Sequence, residues 1–322
     1  MDSNPVLDLL VYGWYHKQNA GDDLFAISFQ KLFPNLNIKF TDDPKDITKL
    51  QYKYLILGGG NIIHPCLQSH LQQTKIPYEF WSVSVLTPEQ ATIAQNARRC
   101  IVRDNESATL MTKAQYKGEL IFVPDIVFTN YNDINVTPKK DIIALFPNAN
   151  IVPTYKDSIP KWQEYQRFVC ETARFMDEQK DKNNFELVAM QTNHLIHDHS
   201  VSHAIKATSV AKKMAIVDKD LRNLNTLNDF KVIVTARYHG IILAIMSETP
   251  VICIDAHSKI KNFANSYKLS NINYYEYSKD CLERALKECM EAPNRYSQIK
   301  QQIIDEVGVY YELSKQLTEE IS

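Results

Sequence analysis

Short apolar runs recur along the chain, each closed by a polar or glycine-bearing turn and followed by a stretch with helical apolar spacing. Leu7-Asp-Leu-Leu-Val-Tyr12 ends at Gly13 and reads as a buried parallel strand. A polar loop through Asn19 then leads into a helix from about Gly21 to Phe33, with Leu24, Ile27, Phe29 and Leu32 on its apolar face. Tyr52-Lys-Tyr-Leu-Ile-Leu57 runs straight into Gly58-Gly-Gly60. Trp81–Val85 predicts another strand, and Pro88 opens the helix after it. Strands at Cys100–Asp104 and Leu120–Pro124 flank a helix at Glu106–Ala114. Repeated β-α-β with loops at the strand C-termini predicts an open parallel sheet.

Thr129 to Lys140 is polar, with Asn, Asp and Pro, and reads as a linker. The pattern then restarts. Strands are expected at Ile142–Phe146, Phe185–Met190, Met214–Val217, Lys231–Thr235 and Val251–Asp255. Helices are expected at Ser158–Gln179, carrying Trp162, Tyr165, Phe168 and Val169, and at Tyr238–Ser247, Ser258–Tyr267, Asp280–Met290 and Arg295–Lys315. The class is α/β: two domains facing across a cleft, 1–132 and 138–292. A C-terminal helix within 293–322 is expected to pack back on the first. No solenoid repeat or low-complexity tract interrupts this order.

The 322 residues suffice for two domains, and 44% hydrophobic with 23% charged residues is a globular balance. A net charge of −2 gives no electrostatic case for nucleic-acid binding. Met1-Asp-Ser-Asn-Pro-Val lacks the start of a signal peptide, and the longest apolar runs are too short to span a bilayer, so a cytoplasmic protein is expected. The cysteines at 66, 100, 170, 253, 281 and 289 form no CxxC pair and read as reduced structural thiols.

Glycine is scarce, with 8 in the chain, and six of these fall at Gly13 and Gly21, Gly58 to Gly60, and Gly240. A chain so sparing keeps glycine where φ is positive or backbones approach closely, so these stretches are either loops around a ligand or ordinary tight turns. The segment Gly13 to Asp23 lacks the spacing of a dinucleotide fingerprint or a P-loop. Asp22 and Asp23 either complement a helix dipole or carry chemistry. Arg103 at a strand end is either an anion clamp or a partner of Asp104 that fixes the loop. Arg237-Tyr-His239-Gly240 offers a guanidinium, an imidazole and a helix N-terminus in one turn, and His257-Ser-Lys259 repeats the arrangement one strand on. Together they favour an anionic substrate over solvated loop charges. His194-x-x-His197-Asp198-His199-x-x-x-His203 fits no zinc spacing and reads as a polar cleft loop; no metal is expected.

Asn19-x-Gly21-Asp22, Gly58-Gly-Gly60, Val102-Arg-Asp104-x-x-Ser107, Val123-Pro-Asp125, and Ala236-Arg-Tyr-His239-Gly240 with Pro250-Val-Ile and Lys259 occur in that order. This ordered set, over about residues 11 to 270, resembles the polysaccharide pyruvyl transferase family. The resemblance implies two Rossmann-like domains arranged as in GT-B glycosyltransferases. It further implies transfer of pyruvate from phosphoenolpyruvate to sugar hydroxyls as a ketal, with release of phosphate and no cofactor. Phosphoenolpyruvate and a sugar or glycan acceptor would be the partners. His239 would be the general acid and Asp22 the base. Arg103, Arg237 and Lys259 would meet the donor's charges, with Asn19, Gly59, Gly60, Asn61, His194 and His257 lining the site. The chain departs from the family pattern in two places: Ser82–Thr87 lacks the common glycine-bearing turn, and the first loop ends Gly-Asp-Asp rather than Gly-Asp-Glu. The competing readings are a nucleotide-sugar glycosyltransferase on the same architecture and a degenerate glycan-binding member.

Overall fold

The computed structural model describes residues 6–15, 17–134, 139–192, 197–210, 214–217, 220–292 and 294–322. The chain divides into two compact units. One comprises Met1–Lys17, Gly21–Asn130 and Ile303–Ser322; the other comprises Gln18–Ala20 and Tyr131–Gln302.

The first unit alternates β1 (Leu7–Tyr12), α1 (Ala20–Leu32), β2 (Ile38–Thr41), α2 (Asp46–Lys49), β3 (Tyr52–Gly60), α3 (Pro65–Gln73), β4 (Tyr78–Val83), α4 (Pro88–Ile93), β5 (Arg99–Val102), α5 (Asn105–Lys113) and β6 (Glu119–Phe122). Its sheet runs β2-β1-β3-β4-β5-β6, and every pair is parallel. The order reverses between β1 and β3, so a crevice opens at the carboxyl ends of those two strands. Strand β2 and helices α2 and α3 had no clear signal in the pattern; β2 is a four-residue edge strand with mostly half-buried side chains.

Helix α1 buries Gly21, Leu24, Phe25, Ser28, Phe29 and Leu32, a stripe at i, i+3, i+4 spacing. The expected face included Ile27; the stripe is instead rotated onto Phe25, because Phe25 and Phe29 fill notches left by glycine. A methyl group at Gly58 would lie 2.5 Å from Phe29 Cζ, and one at Gly59 2.2 Å from Phe25. Under the sheet, Glu79 is a fully buried carboxylate accepting from Tyr54 Oη at 2.9 Å, Trp81 Nε1 at 2.7 Å and Arg99 Nη1 at 3.2 Å.

The start of the linker expected over Thr129 to Lys140 is corrected: a 3₁₀ helix covers Ile126–Asp133, and Ile126 to Asn130 are buried in the first unit, while residues 135–138 lie outside the described residues. The polar side chains that marked a linker are used inside, with Asn130 Nδ2 donating to Ser28 Oγ at 2.7 Å.

The second unit holds β7 (Ile142–Phe146), α6 (Ile159–Gln179), β8 (Asn184–Val188), α7 (His199–Thr208), β9 (Met214–Val217), β10 (Val232–Thr235), α8 (Tyr238–Met246), β11 (Val251–Ile254), α9 (Ser258–Ser266), β12 (Ser270–Ile272) and α10 (Lys279–Glu291). Its parallel sheet runs β12-β11-β10-β7-β8-β9 and reverses between β7 and β10. Helix α8 is buried all round from Gly240 to Met246, whereas α6 buries only its second half and leaves Trp162 40% exposed. The expected loop over His199 to His203 is corrected to the first turns of α7, whose buried face is Val201, Ser202 and Ile205.

Helix α11 (Arg295–Ile321) runs six residues past its expected end. Within the first unit, its Tyr310 ring meets Trp81 at 5.9 Å and Glu320 accepts two bonds from Arg98 at 2.5 and 2.8 Å.

Glycine stands where expected, at close backbone approaches and at positive φ: a methyl at Gly13 would lie 2.4 Å from Gly58 O and one at Gly58 2.9 Å from Trp81 O. Only Gly59 and Gly60 have positive φ, at +38° and +88°. Helices α5, α8 and α9 end in left-handed residues that are not glycine: Gln115, Glu248 and Lys268. Each is followed by a residue whose N–H closes back five residues, as Thr249 does to Ala244 O at 2.8 Å, which completes a Schellman cap.

Candidate active site

Both glycine-bearing stretches of the first unit stand at its switch point. Gly13 follows β1 and Gly58 to Gly60 end β3; a methyl at Gly13 would lie 2.4 Å from Gly58 O. Tyr15, 1% exposed, donates its hydroxyl to Gly58 O, and burial, with a smaller effect of Asp22, pushes that hydroxyl far above its ordinary pKa. The space that glycine opens at positions 58 and 59 is thus occupied by α1. At Gly60 the fit is looser: a methyl there would lie at ordinary contact distance, 3.6 Å from Phe25 Cε2 and 3.8 Å from Asp22 Oδ1. The structure therefore brings together Asp22, Gly59 and Gly60, with exposed Asn61 next along the chain.

Arg103 follows β5, two strands from the β3 edge. It is 6% exposed; Nη1 donates to buried Asp125 at 2.5 Å, Nε donates to Ser84 Oγ at 3.1 Å, and its guanidinium lies 5.7 Å from the Phe25 ring. Asp104 is not its partner, as Arg103 bonds elsewhere and Asp104 caps α5 by accepting from Ser107 N at 2.8 Å. Where the family commonly carries a glycine-bearing turn, the register of β4 against β5 shifts between Phe80 and Val83, with Ser82 left-handed at φ 57° and fully buried. Serine holds a glycine-favoured conformation there because its hydroxyl accepts from Ile126 N at 3.0 Å.

In the second unit Arg237 follows β10, at the switch point with β7. Its own N–H is turned by Thr235 Oγ1 at 2.9 Å, and Gly240 lets α8 settle on the strand, since a methyl there would lie 2.3 Å from Thr235 Oγ1. The guanidinium is bound on three sides: Nη2 pairs with Asp198, Nη1 donates to Gln191 Oε1 at 3.0 Å, and Nε donates to Pro147 O at 3.4 Å. Asp198 is fully buried, and Ala149, Met190 and Gln191 also donate backbone N–H groups to it at 2.9, 3.1 and 3.0 Å.

Asn19 lies on this same framework. It bridges Gln191 in an antiparallel pair, flanked by Ala20 N to Met190 O at 2.9 Å and Thr192 N to Gln18 O at 3.0 Å.

His239 stands half-buried in the first turn of α8, edge-on to Tyr238 at 5.6 Å. The neighbouring strand β11 delivers His257 and Lys259 to the start of α9, and Tyr238 meets Phe263 of that helix at 5.5 Å. Partial burial, then the charge of Lys259, lowers the His257 pKa and disfavours its charged form. His194 lies outside the described residues. Sequence reasoning missed Asp125, Asp198 and Gln191. The two aspartates stood in motifs already noted, but their pairing with arginines 22 and 39 residues away has no local signature. Among the described residues no group of three or more His, Cys, Asp or Glu is placed to hold a metal, and no helix is long and apolar enough to cross a membrane.

Two parallel six-stranded sheets with their flanking helices are two Rossmann-like domains, the class found in GT-B glycosyltransferases. Solved structures share this fold. A glycosyltransferase from Rickettsia africae has TM-score 0.58 at 10% identity and covers 99% of both chains. HepE from Anabaena, in complex with UDP-glucose, has TM-score 0.58 at 11% identity and covers 98% of both. MnaA of S. aureus, with UDP, has TM-score 0.59 at 12% identity and covers 92% of this chain and 91% of its own. None of the curated proteins compared matches the chain. The family model described as polysaccharide pyruvyl transferase matches residues 19–258. The chain belongs to the polysaccharide pyruvyl transferase family, as its ordered motifs led us to expect.

Proposed function

We propose that this transferase moves pyruvate from phosphoenolpyruvate onto a pair of sugar hydroxyls as a ketal, releasing phosphate. The observation that carries the reading is the turn Thr235 to Gly240: it sets Arg237, His239 and a helix N-terminus at the switch point of the second sheet. That is where an α/β sheet receives an anionic ligand. Lys259 adds a cation at the adjacent strand end. A phosphate and a carboxylate on one small donor match this set.

The chemistry then needs one proton delivered to carbon and two taken from the hydroxyls, one of which leaves with the phosphate. His239, as general acid, delivers a proton to the methylene carbon, which becomes a methyl group and leaves the central carbon electron-poor. A first sugar hydroxyl adds to that carbon and gives up its proton to a base. The C–O bond to phosphate breaks, and a second hydroxyl closes the ketal while its proton leaves with the phosphate. Arg103 contributes through the Phe25 and Asp125 framework of its own unit, its charge being already paired there.

The test is to incubate the protein with phosphoenolpyruvate and a panel of glycan acceptors, following phosphate release and acetal formation, with UDP-glucose as the competing donor. Phosphate release coupled to an acetal product is expected. Turnover of UDP-glucose, with no acetal from any acceptor, defeats the reading.

A further inference from the structure

We propose that Asp198 is the positioning residue of the donor site: it holds the Arg237 guanidinium in the orientation that receives the donor. The inference rests on the proposed function for the identity of the donor, and on geometry for the rest.

A carboxylate in a protein interior costs several kcal/mol of lost hydration unless its oxygens are bonded. Asp198 is fully buried, and both oxygens are used. Oδ1 accepts from Ala149 N and pairs with Arg237 Nη2; Oδ2 accepts from Met190 N and Gln191 N. Three fixed backbone donors, on the segments after β7 and β8, thus set where the carboxylate stands. Arg237 lies on a third segment, after β10, and is the partner with rotatable bonds. The carboxylate is the fixed member and the arginine the positioned one.

The remaining bonds point the same way. Gln191 Oε1 takes Nη1 at 3.0 Å, and Pro147 O takes Nε at 3.4 Å. Both come from the same two segments that Asp198 fastens. The arginine is 11% exposed at its side chain, against 0% for Asp198, so of the two it is the arginine that reaches solvent. An arginine held in this way presents its remaining N–H directions without losing rotamer entropy when an anion arrives. A loop staple alone would account for the three backbone bonds. It would not account for the pairing with the one arginine of the Ala236–Gly240 motif.

The experiment joins kinetics to a direct view of the guanidinium. In the full-length protein, Asp198→Asn is expected to raise KM for phosphoenolpyruvate and lower kcat/KM about 100-fold, the scale of a misplaced substrate-positioning group. Introduced on top of Arg237→Ala, the same substitution is expected to change kcat/KM less than about 2-fold, because its effect runs through Arg237. Equal effects in both backgrounds, or tighter donor binding in Asp198→Asn, overturn the proposal. Gln191→Met, which leaves the backbone bonds to Asp198 in place, is expected to weaken donor binding several-fold and serves if Asp198→Asn does not fold. The Nε–H resonance of Arg237, assigned by its loss in Arg237→Ala, provides a reading that needs no substrate. It should be sharp and slow to exchange in the wild type, and broadened in either variant. An unchanged resonance overturns the positioning role whatever the donor is. Failure of the wild type to bind or turn over phosphoenolpyruvate defeats the proposed function alone.

Discussion

Each unit places an arginine just past a strand end and neutralises it with a fully buried aspartate: Arg103 with Asp125, and Arg237 with Asp198. The pairs differ in what surrounds the guanidinium. Arg103, 4% exposed at its side chain, lies beside Phe25 and two strands from its sheet's switch point. Arg237, 11% exposed, opens a helix at the switch point itself. The same residue pair therefore closes an interior in one unit and prepares a surface in the other. A motif arginine is read by its depth and its place in the strand order, not by its sequence neighbours.

The largest effects should separate these roles. Arg237→Ala and His239→Ala are each expected to lower kcat/KM for phosphoenolpyruvate by about 10²–10⁴-fold, with the melting transition still cooperative. Full activity in either variant removes that residue from the mechanism. Asp125→Ala leaves the Arg103 charge buried without its carboxylate, and urea unfolding should show a loss of about 3–5 kcal/mol. A loss under about 1 kcal/mol would mean that the first-unit pair is no more structural than a surface bridge.

Lys139 sharpens the comparison as a cation without a bonded carboxylate. Its ammonium donates to Ser247 O at 2.7 Å and Asn228 Oδ1 at 3.3 Å, and burial lowers its pKa to about 8. The folded state therefore releases this proton before the unfolded chain does. The Lys139 contribution to stability should rise as pH climbs from about 8 towards the ordinary lysine value near 10.4, by no more than about 3.5 kcal/mol at ~1.4 kcal/mol per unit, against the opposite trend of the buried tyrosines and cysteines whose pKa values burial raises. Lys139→Met should abolish that rise in pH-dependent urea melts. The smallest effect belongs to Ser82. Ser82→Ala keeps the left-handed backbone and strands the Ile126 N–H, costing about 2 kcal/mol; Ser82→Gly relieves the backbone and should cost about 1 kcal/mol less. Equal melting temperatures for the two variants would show that the bulge is unstrained.

Much of the fold was legible in the chain. The strand at 142–146 falls where its apolar run placed it, because a strand buried on both faces needs an unbroken apolar run; the one at 214–217 also falls where expected, as a half-buried edge strand. The turn Arg237–Gly240 was legible because a strand end and a helix start meet there within a few residues. Helix α7 was hidden by its histidines, which dominated the pattern over Val201 and Ile205. The bulge at Ser82 was hidden as well. A serine there reads as lost glycine until the Ile126 N–H is seen to occupy its hydroxyl.

The sequence by itself determined the alternation of elements, the two sheets they form and the motifs that place the family, since hydrophobic periodicity and turn chemistry act over a few residues. Tertiary structure decided what the motif residues touch. It gave the glycine notches at 58 and 59 to Phe29 and Phe25, gave Arg103 to Asp125, and gave Arg237 to a carboxylate anchored by three backbone N–H groups. Those pairings join residues 22 to 39 positions apart, and burial sets their strength, because a charge removed from water must find its partner wherever the sheet order brings one.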